Sequence, residues 1–158
     1  MTIEPSQQPH QVSVKLFITR PQNGGELLLL HHPDLGYSDL PGGRIDKGED
    51  KTPLHGIALR ELAEELGSEF KVRLQGEQPV CVFRAFPKKL LGQTGLHLLL
   101  LGYWATHESG VPKLSSEHSN AKWVPVRDID FSEFDEHYGA GIRAFQKIFL
   151  EELAGRER

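Results

Sequence analysis

The chain has 158 residues and a formal net charge of −4. That length suits one domain that buries roughly two-thirds of its unfolded surface, so folding requires neither disulfides nor a structural metal. The single cysteine, Cys81, excludes an internal disulfide, and the acidic balance argues against a broad grip on nucleic acid while leaving room for a small phosphorylated partner held by local cations.

In chain order, residues 1–11 are polar and proline-bearing, without the basic and apolar segments of a secretion signal. They are expected as a flexible arm ahead of one domain over 12–155. Residues 12–19 alternate, with Val12, Val14, Leu16 and Ile18 against Ser13, Lys15 and Thr19. This predicts a half-buried strand with the polar set outward. Pro21, Gln22, Asn23, Gly24 and Gly25 form a turn, and residues 27–30 then read as a strand covered on both faces, completing a hairpin. Residues 39–50 read as a loop rich in glycine and charge. A helix is expected next, with Thr52 as its N-cap, Pro53 at its first position and Gly67 as its stop. Residues 70–74, 80–86, 96–106 and 122–126 are strand candidates, with Cys81 packed as a small buried hydrophobe. Tyr138, Ile142, Phe145, Phe149 and Leu153 recur at helical spacing and predict a closing amphipathic helix. The pattern implies an α/β (α+β) sandwich with a mixed sheet. The longest apolar stretch, 96–105, is too short to cross a bilayer, which makes the cytoplasm the default location.

The chemistry concentrates in the helix over 54–66. Glu61, Glu64 and Glu65 stand at i, i+3 and i+4, so they share an arc of about 100°, opposite Ala58, Leu59, Leu62, Ala63 and Leu66. A solvated acidic face is the ordinary reading of such a helix. Here it opposes helix stability in two ways: Glu61 and Glu65 repel as like charges one turn apart, and Glu64 and Glu65 sit where the helix dipole favours cations. No lysine or arginine lies between Arg60 and Lys71 to relieve them. A divalent cation would convert both penalties into binding, and local conflict of this kind marks functional sites. The preceding Pro41, Gly42, Gly43, Arg44, Ile45, Asp46, Lys47, Gly48, Glu49 run permits tight turns that could aim a carbonyl at the same ion.

Together, Gly43-x5-Glu49 and Arg60-Glu61-Leu62-x-Glu64-Glu65-x-Gly67 resemble the Nudix box, G-x5-E-x7-R-E-U-x-E-E-x-G-U, where U is bulky and aliphatic. Lys122, Trp123, Val124 and Pro125 match the Trp-containing strand that follows the box in that family. Two features depart from the pattern. Ten residues, 50–59, separate Glu49 from Arg60 instead of seven, and Ser68 occupies the last aliphatic position. The extra length leaves the carboxylate cluster intact but makes the position of Glu49 depend on that loop.

The resemblance implies an α/β/α sandwich and a pyrophosphohydrolase that uses Mg²⁺, with Mn²⁺ as a substitute. It assigns Glu61 and Glu65 as metal ligands, Glu64 as a further ligand or general base, and the Gly42 carbonyl as a backbone ligand. Arg60 would pair with a box glutamate and orient it. Glu117, ahead of the Trp strand, matches a loop glutamate that many members use in catalysis. Mg²⁺ suits carboxylates and phosphates, and it can acidify water and neutralise a diphosphate, while a carboxylate free of metal acts as general base. A homodimer would be common among such enzymes.

Arg44, Arg84 and Tyr37 are the candidate substrate contacts, with Lys47, Lys88, Lys89, Phe86 and Tyr103 as weaker ones. His31, His32 and His97 lack regular ligand spacing and read as structural. The expected reaction is hydrolysis of a diphosphate linkage in a nucleotide, nucleotide-sugar or dinucleotide. A non-catalytic nucleotide-sensing module and an RNA 5′-end pyrophosphohydrolase are the alternatives, and the acidic balance lowers the second.

Overall fold

The computed structural model describes residues 6–32, 36–86 and 96–158. Its strands are β1 (Gln11–Arg20), β2 (Glu26–His32), β3 (Tyr37–Asp39), β4 (Gly42–Arg44), β5 (Lys71–Leu74), β6 (Cys81–Ala85), β7 (Leu98–Ser109) and β8 (Asn120–Pro125). Its helices are α1 (Leu54–Leu66) and α2 (Glu136–Arg156). The eight strands form one mixed sheet in which β1 and β7 run parallel and the remaining pairs are antiparallel. The strand opens at Gln11, within the segment expected as an arm.

The helices cover opposite faces. Val14, Leu16 and Ile18 of β1 pack with Leu28, Leu30, Ile57, Ala58, Leu62 and Leu66 beneath α1. Phe17, Leu27, Leu29, Phe83 and Leu100 pack with Tyr138, Ile142, Phe145 and Phe149 beneath α2. This is the α/β/α sandwich that the sequence implied. Because both faces are covered, β1 is not half-buried as its alternation suggested. Ser13, Lys15 and Thr19 are all buried, and Phe17 stacks on Phe145 with ring centroids 4.2 Å apart.

The expected hairpin forms, but β1 and β2 pair only at their joined ends, Thr19 with Leu27 and Arg20 with Glu26. Beyond that the strands part. The segment read as a loop fills the fork: β3 pairs with the far end of β2, and β4 pairs with Ser13, Val14 and Lys15 of β1. This fork carries the backbone of Gly42 and Gly43 to the sheet surface below α1. Among the described residues, no helix is long and apolar enough to cross a membrane.

Candidate active site

The sequence expected Thr52 to cap α1, but the cap position is Pro53, and no side chain caps it. The other end is better served. Gly67 stops the helix at φ 87° and donates its N–H to the Ala63 carbonyl. The carbonyls of Glu65 and Leu66 accept from Ser115 and Lys113. Those bonds dock the loop before β8 onto the last turn of α1, beside Glu65.

The buried side of α1 also differs from the expected one. Ala58, Leu62 and Leu66 point inward, but Leu59 and Ala63 are exposed while Glu65 is buried. The helix therefore rests partly on its carboxylates, and β4 is built to receive them. A Cβ on Gly43 would collide with the Glu61 carboxyl group. Gly42 adopts φ +135°, and a Cβ there would strike the Val14 carbonyl. Gly42 N–H donates to Glu65 Oε2 at 2.9 Å.

Burial pushes the Glu65 carboxyl up to about 8, against the opposing pull of Lys15 and the Gly42 N–H. Burial likewise raises Glu61, partly countered by Arg60. Lys15 is the buried counter-charge that the sequence reading missed. Its Nζ donates to Asp39 Oδ2 at 3.0 Å, to the Leu40 carbonyl at 3.2 Å and to the Gly42 carbonyl at 3.5 Å. Burial opposes the charge on Lys15, but Asp39 and Glu65 outweigh it and hold the ammonium above its ordinary range. Tyr138 of α2 donates its hydroxyl to Asp39 Oδ1 and accepts from the Leu40 N–H, which ties the opposite helix to the same fork.

Arg60 sits at the hub of the remaining carboxylates. It donates to Glu49 through Nε at 2.5 Å and a second nitrogen at 3.1 Å, and it lies 2.9 Å from Glu61 and 3.1 Å from Glu64. The long loop between Glu49 and Arg60 thus brings Glu49 into the network, and the guanidinium holds its carboxyl below the usual range. Glu64 faces solvent, with a side chain 60% exposed.

Glu117 comes to the other end of the cluster. One donor atom each from Glu65, Glu117 and His118 lie within 4.8 Å of one another. Glu117 is exposed, whereas His118 is buried with its Nε2 3.9 Å from Glu65 Oε1. The sequence reading missed His118, although its place next to Glu117 could have signalled it. His32, read as structural, stands with its ring 5.8 Å from that of His118.

The three substrate candidates do not converge. Arg44 bonds to Gln11, Arg84 lies over Phe86 with its guanidinium carbon 5.6 Å from the ring centroid, and Tyr37 lines a cavity of about 220 Å³ with His31 and Lys122. A cavity of about 410 Å³ that includes Arg84, Phe83 and His137 lies against α2 and holds none of the carboxylates. Lys47 is exposed, and Lys88 and Lys89 lie outside the described residues. Tyr103 is core, and Phe86 packs on His97 and His137. His97 is half-buried, and its carbonyl accepts from Gln11. Burial pushes the half-buried Cys81 thiol up to about 12, which suits packing and not reactivity.

These donors fit a divalent cation. Buried Glu65 and half-buried Glu61 have raised proton affinity, chiefly because burial disfavours their charged forms, with repulsion from neighbouring carboxylates adding to it. Carboxylate oxygens and a nearby backbone carbonyl are the donor types that hard cations take.

The NUDIX domain family profile matches residues 9–145. Among solved structures, a C. elegans Ap4A hydrolase binary complex is similar at 25% identity, with a TM-score of 0.66 over 89% of this chain and 98% of that one. A MutT protein from Methanosarcina mazei Go1 is similar at 23% identity, with a TM-score of 0.65 over 92% of this chain and 96% of that one. The NUDIX domain of Shewanella oneidensis NrtR complexed with ADP ribose is similar at 20% identity, with a TM-score of 0.56 over 89% and 93%. No curated protein matches the chain in sequence. With a family profile across most of its length and the box carboxylates clustered along α1, the chain belongs to the NUDIX domain family and is a pyrophosphohydrolase of that family.

Proposed function

We propose that the enzyme uses Mg²⁺, with Mn²⁺ able to substitute, to hydrolyse the diphosphate linkage of a nucleoside diphosphate joined to a further phosphate, a sugar or a second nucleoside. The observation that carries this reading is the pair of inward-turned carboxylates, half-buried Glu61 and buried Glu65, seated on Gly43 and Gly42. The Ap4A and ADP ribose in the names of two similar structures belong to this substrate class.

Glu61 and Glu65 would hold the cation, with the Gly42 carbonyl beside them. When bound, the cation supplies charge neutralisation for the diphosphate and acidifies water. Glu117 is exposed next to Glu65, so its carboxylate is free to take a proton from the attacking water. Glu64 suits that task less well, because Arg60 holds it on the solvent side. Arg60 acts as a positioning residue that fixes Glu61 through the ion pair. Lys15 keeps Asp39 and the Gly42 carbonyl in register with Glu65.

The test is product release from a panel of nucleoside diphosphate derivatives, assayed with Mg²⁺ and with a chelator. Release of a nucleoside monophosphate or phosphate that stops on chelation is the expected result. Tight nucleotide binding with no product under either condition would replace the hydrolase reading with that of a sensing module.

A further inference from the structure

Glu65 uses only half of its carboxylate in the fold. Oε2 accepts from the Gly42 N–H, while Oε1 faces His118 Nε2 at 3.9 Å. That separation is too long for a hydrogen bond. It does fit two donors on one cation, since metal bonds of about 2.1–2.3 Å span donor pairs up to roughly 4 Å apart. His118 is only 6% exposed, its Nε2 is turned toward Glu65 Oε1, and its Nδ1 is buried with no hydrogen-bond partner among the described residues. A buried polar group left without a partner is the kind that calls for an explanation.

The ring is also held in place. His118 N–H donates to the Ser115 carbonyl at 3.3 Å, Ser119 N–H donates to the His31 carbonyl at 3.0 Å, and the His32 ring stands edge-on to that of His118. Ser115 is in turn fixed to the Glu65 carbonyl at 2.9 Å. Backbone bonds thus lock the imidazole against the end of α1, with the exposed Glu117 carboxylate beside it.

We propose that His118 ligates the divalent cation through Nε2, and that this nitrogen ligand gives the site a preference for Mn²⁺ over Mg²⁺. The proposal rests on the hydrolase reading of the same site, with Glu65 as a ligand. Its chemical basis is that Mg²⁺ selects oxygen donors, whereas Mn²⁺ takes the same oxygen donors and, as a first-row transition ion, binds an imidazole beside them more readily than Mg²⁺ does.

The test is electron spin-echo modulation of the Mn²⁺-loaded protein without substrate, in unlabelled form and with ¹⁵N-histidine. Wild type is expected to show ¹⁴N coupling that converts to the ¹⁵N pattern on labelling. The coupling should vanish in His118→Gln and persist in His32→Asn. By calorimetry, His118→Gln should lose at least about tenfold in Mn²⁺ affinity, since losing even an outer group that only orients a ligand costs about 10–100-fold, with a smaller loss for Mg²⁺. Absence of histidine coupling in labelled wild type overturns the proposal whether or not a variant folds, and so does coupling that survives His118→Gln. Wild-type turnover assayed on the same sample separates the two readings: hydrolysis without a nitrogen signature leaves the hydrolase standing and removes only the ligand assignment.

Discussion

The two helices lie on opposite faces of one sheet, yet they obey different rules. α2 starts with Asp135 accepting from the N–H groups of His137 and Tyr138, carries Arg156 in its last turn, and buries an apolar stripe of Ile142, Phe145 and Phe149. Cap, dipole and core all favour it. α1 has no side-chain cap, no basic residue in its last turn, and two carboxylates pressed into the sheet while Leu59 faces solvent. A helix that departs from local preference, packed beside one that follows it, marks where the fold gives up stability for a charged site. The α2 face holds the molecule together, and the α1 face is poised for a cation.

The largest effects should separate the faces cleanly. Glu61→Gln and Glu65→Gln each remove an anionic group that would hold the cation, and with it the cation's neutralisation of the diphosphate. Several kcal/mol of such stabilisation corresponds to about a thousandfold or more in rate. The metal-free variants should melt no lower than wild type. Phe145→Ala, under α2, should do the reverse, lowering stability by about 3–5 kcal/mol in a denaturant titration. Retention of most activity in both glutamine variants would end the comparison.

Glu117→Gln comes next. A general base contributes about 10²–10⁴-fold, so kcat should fall on that scale, with cation affinity nearly intact and partial recovery at high pH. If cation affinity falls in parallel with kcat, Glu117 is a ligand and the base role passes to Glu64. Arg60→Ala should lose about 10–100-fold in activity or metal affinity, as a residue acting through others does. Turnover equal to wild type would dismiss its positioning role. The smallest effects concern the caps. Asp135→Ala should destabilise by about 1 kcal/mol, while Thr52→Ala should change the melting temperature little, because Thr52 is not the cap of α1.

Much of this contrast is legible in the sequence, because it rests on local spacing. The i, i+3, i+4 glutamates announce the site, and Tyr138, Ile142 and Phe145 announce α2. What the sequence conceals depends on distant partners. Lys15 reads as an outward residue of an alternating strand, and only pairing with Asp39, 24 positions away, explains its burial. The fork strands β3 and β4 have three residues each, too few for a periodic signal. His118 looks like a loop residue until Ser115 docks on α1. The inward and outward sides of α1 were misplaced because Glu65 takes a buried position that apolarity would assign to Leu59 or Ala63.

The most direct measurement of the central claim is thermal stability against pH for wild type and Glu65→Gln, each with chelator and with Mg²⁺. Folding raises the Glu65 carboxyl from 4.5 to about 8. Between those values the folded state keeps a proton that the unfolded chain releases, so this contribution to stability is full below the unfolded value and is lost as pH rises through the window. Lys15, Asp39, Glu61 and His118 surround the group. His118, lowered from 6.5 chiefly by burial, contributes the opposite slope. The difference between wild type and variant therefore reports Glu65 together with its coupling to these neighbours. The account predicts that metal-free wild type loses stability relative to Glu65→Gln as pH rises from about 5 to about 8, and that Mg²⁺ restores wild type but not the variant. Parallel profiles for the two proteins, or a wild-type midpoint indifferent to Mg²⁺, would contradict it.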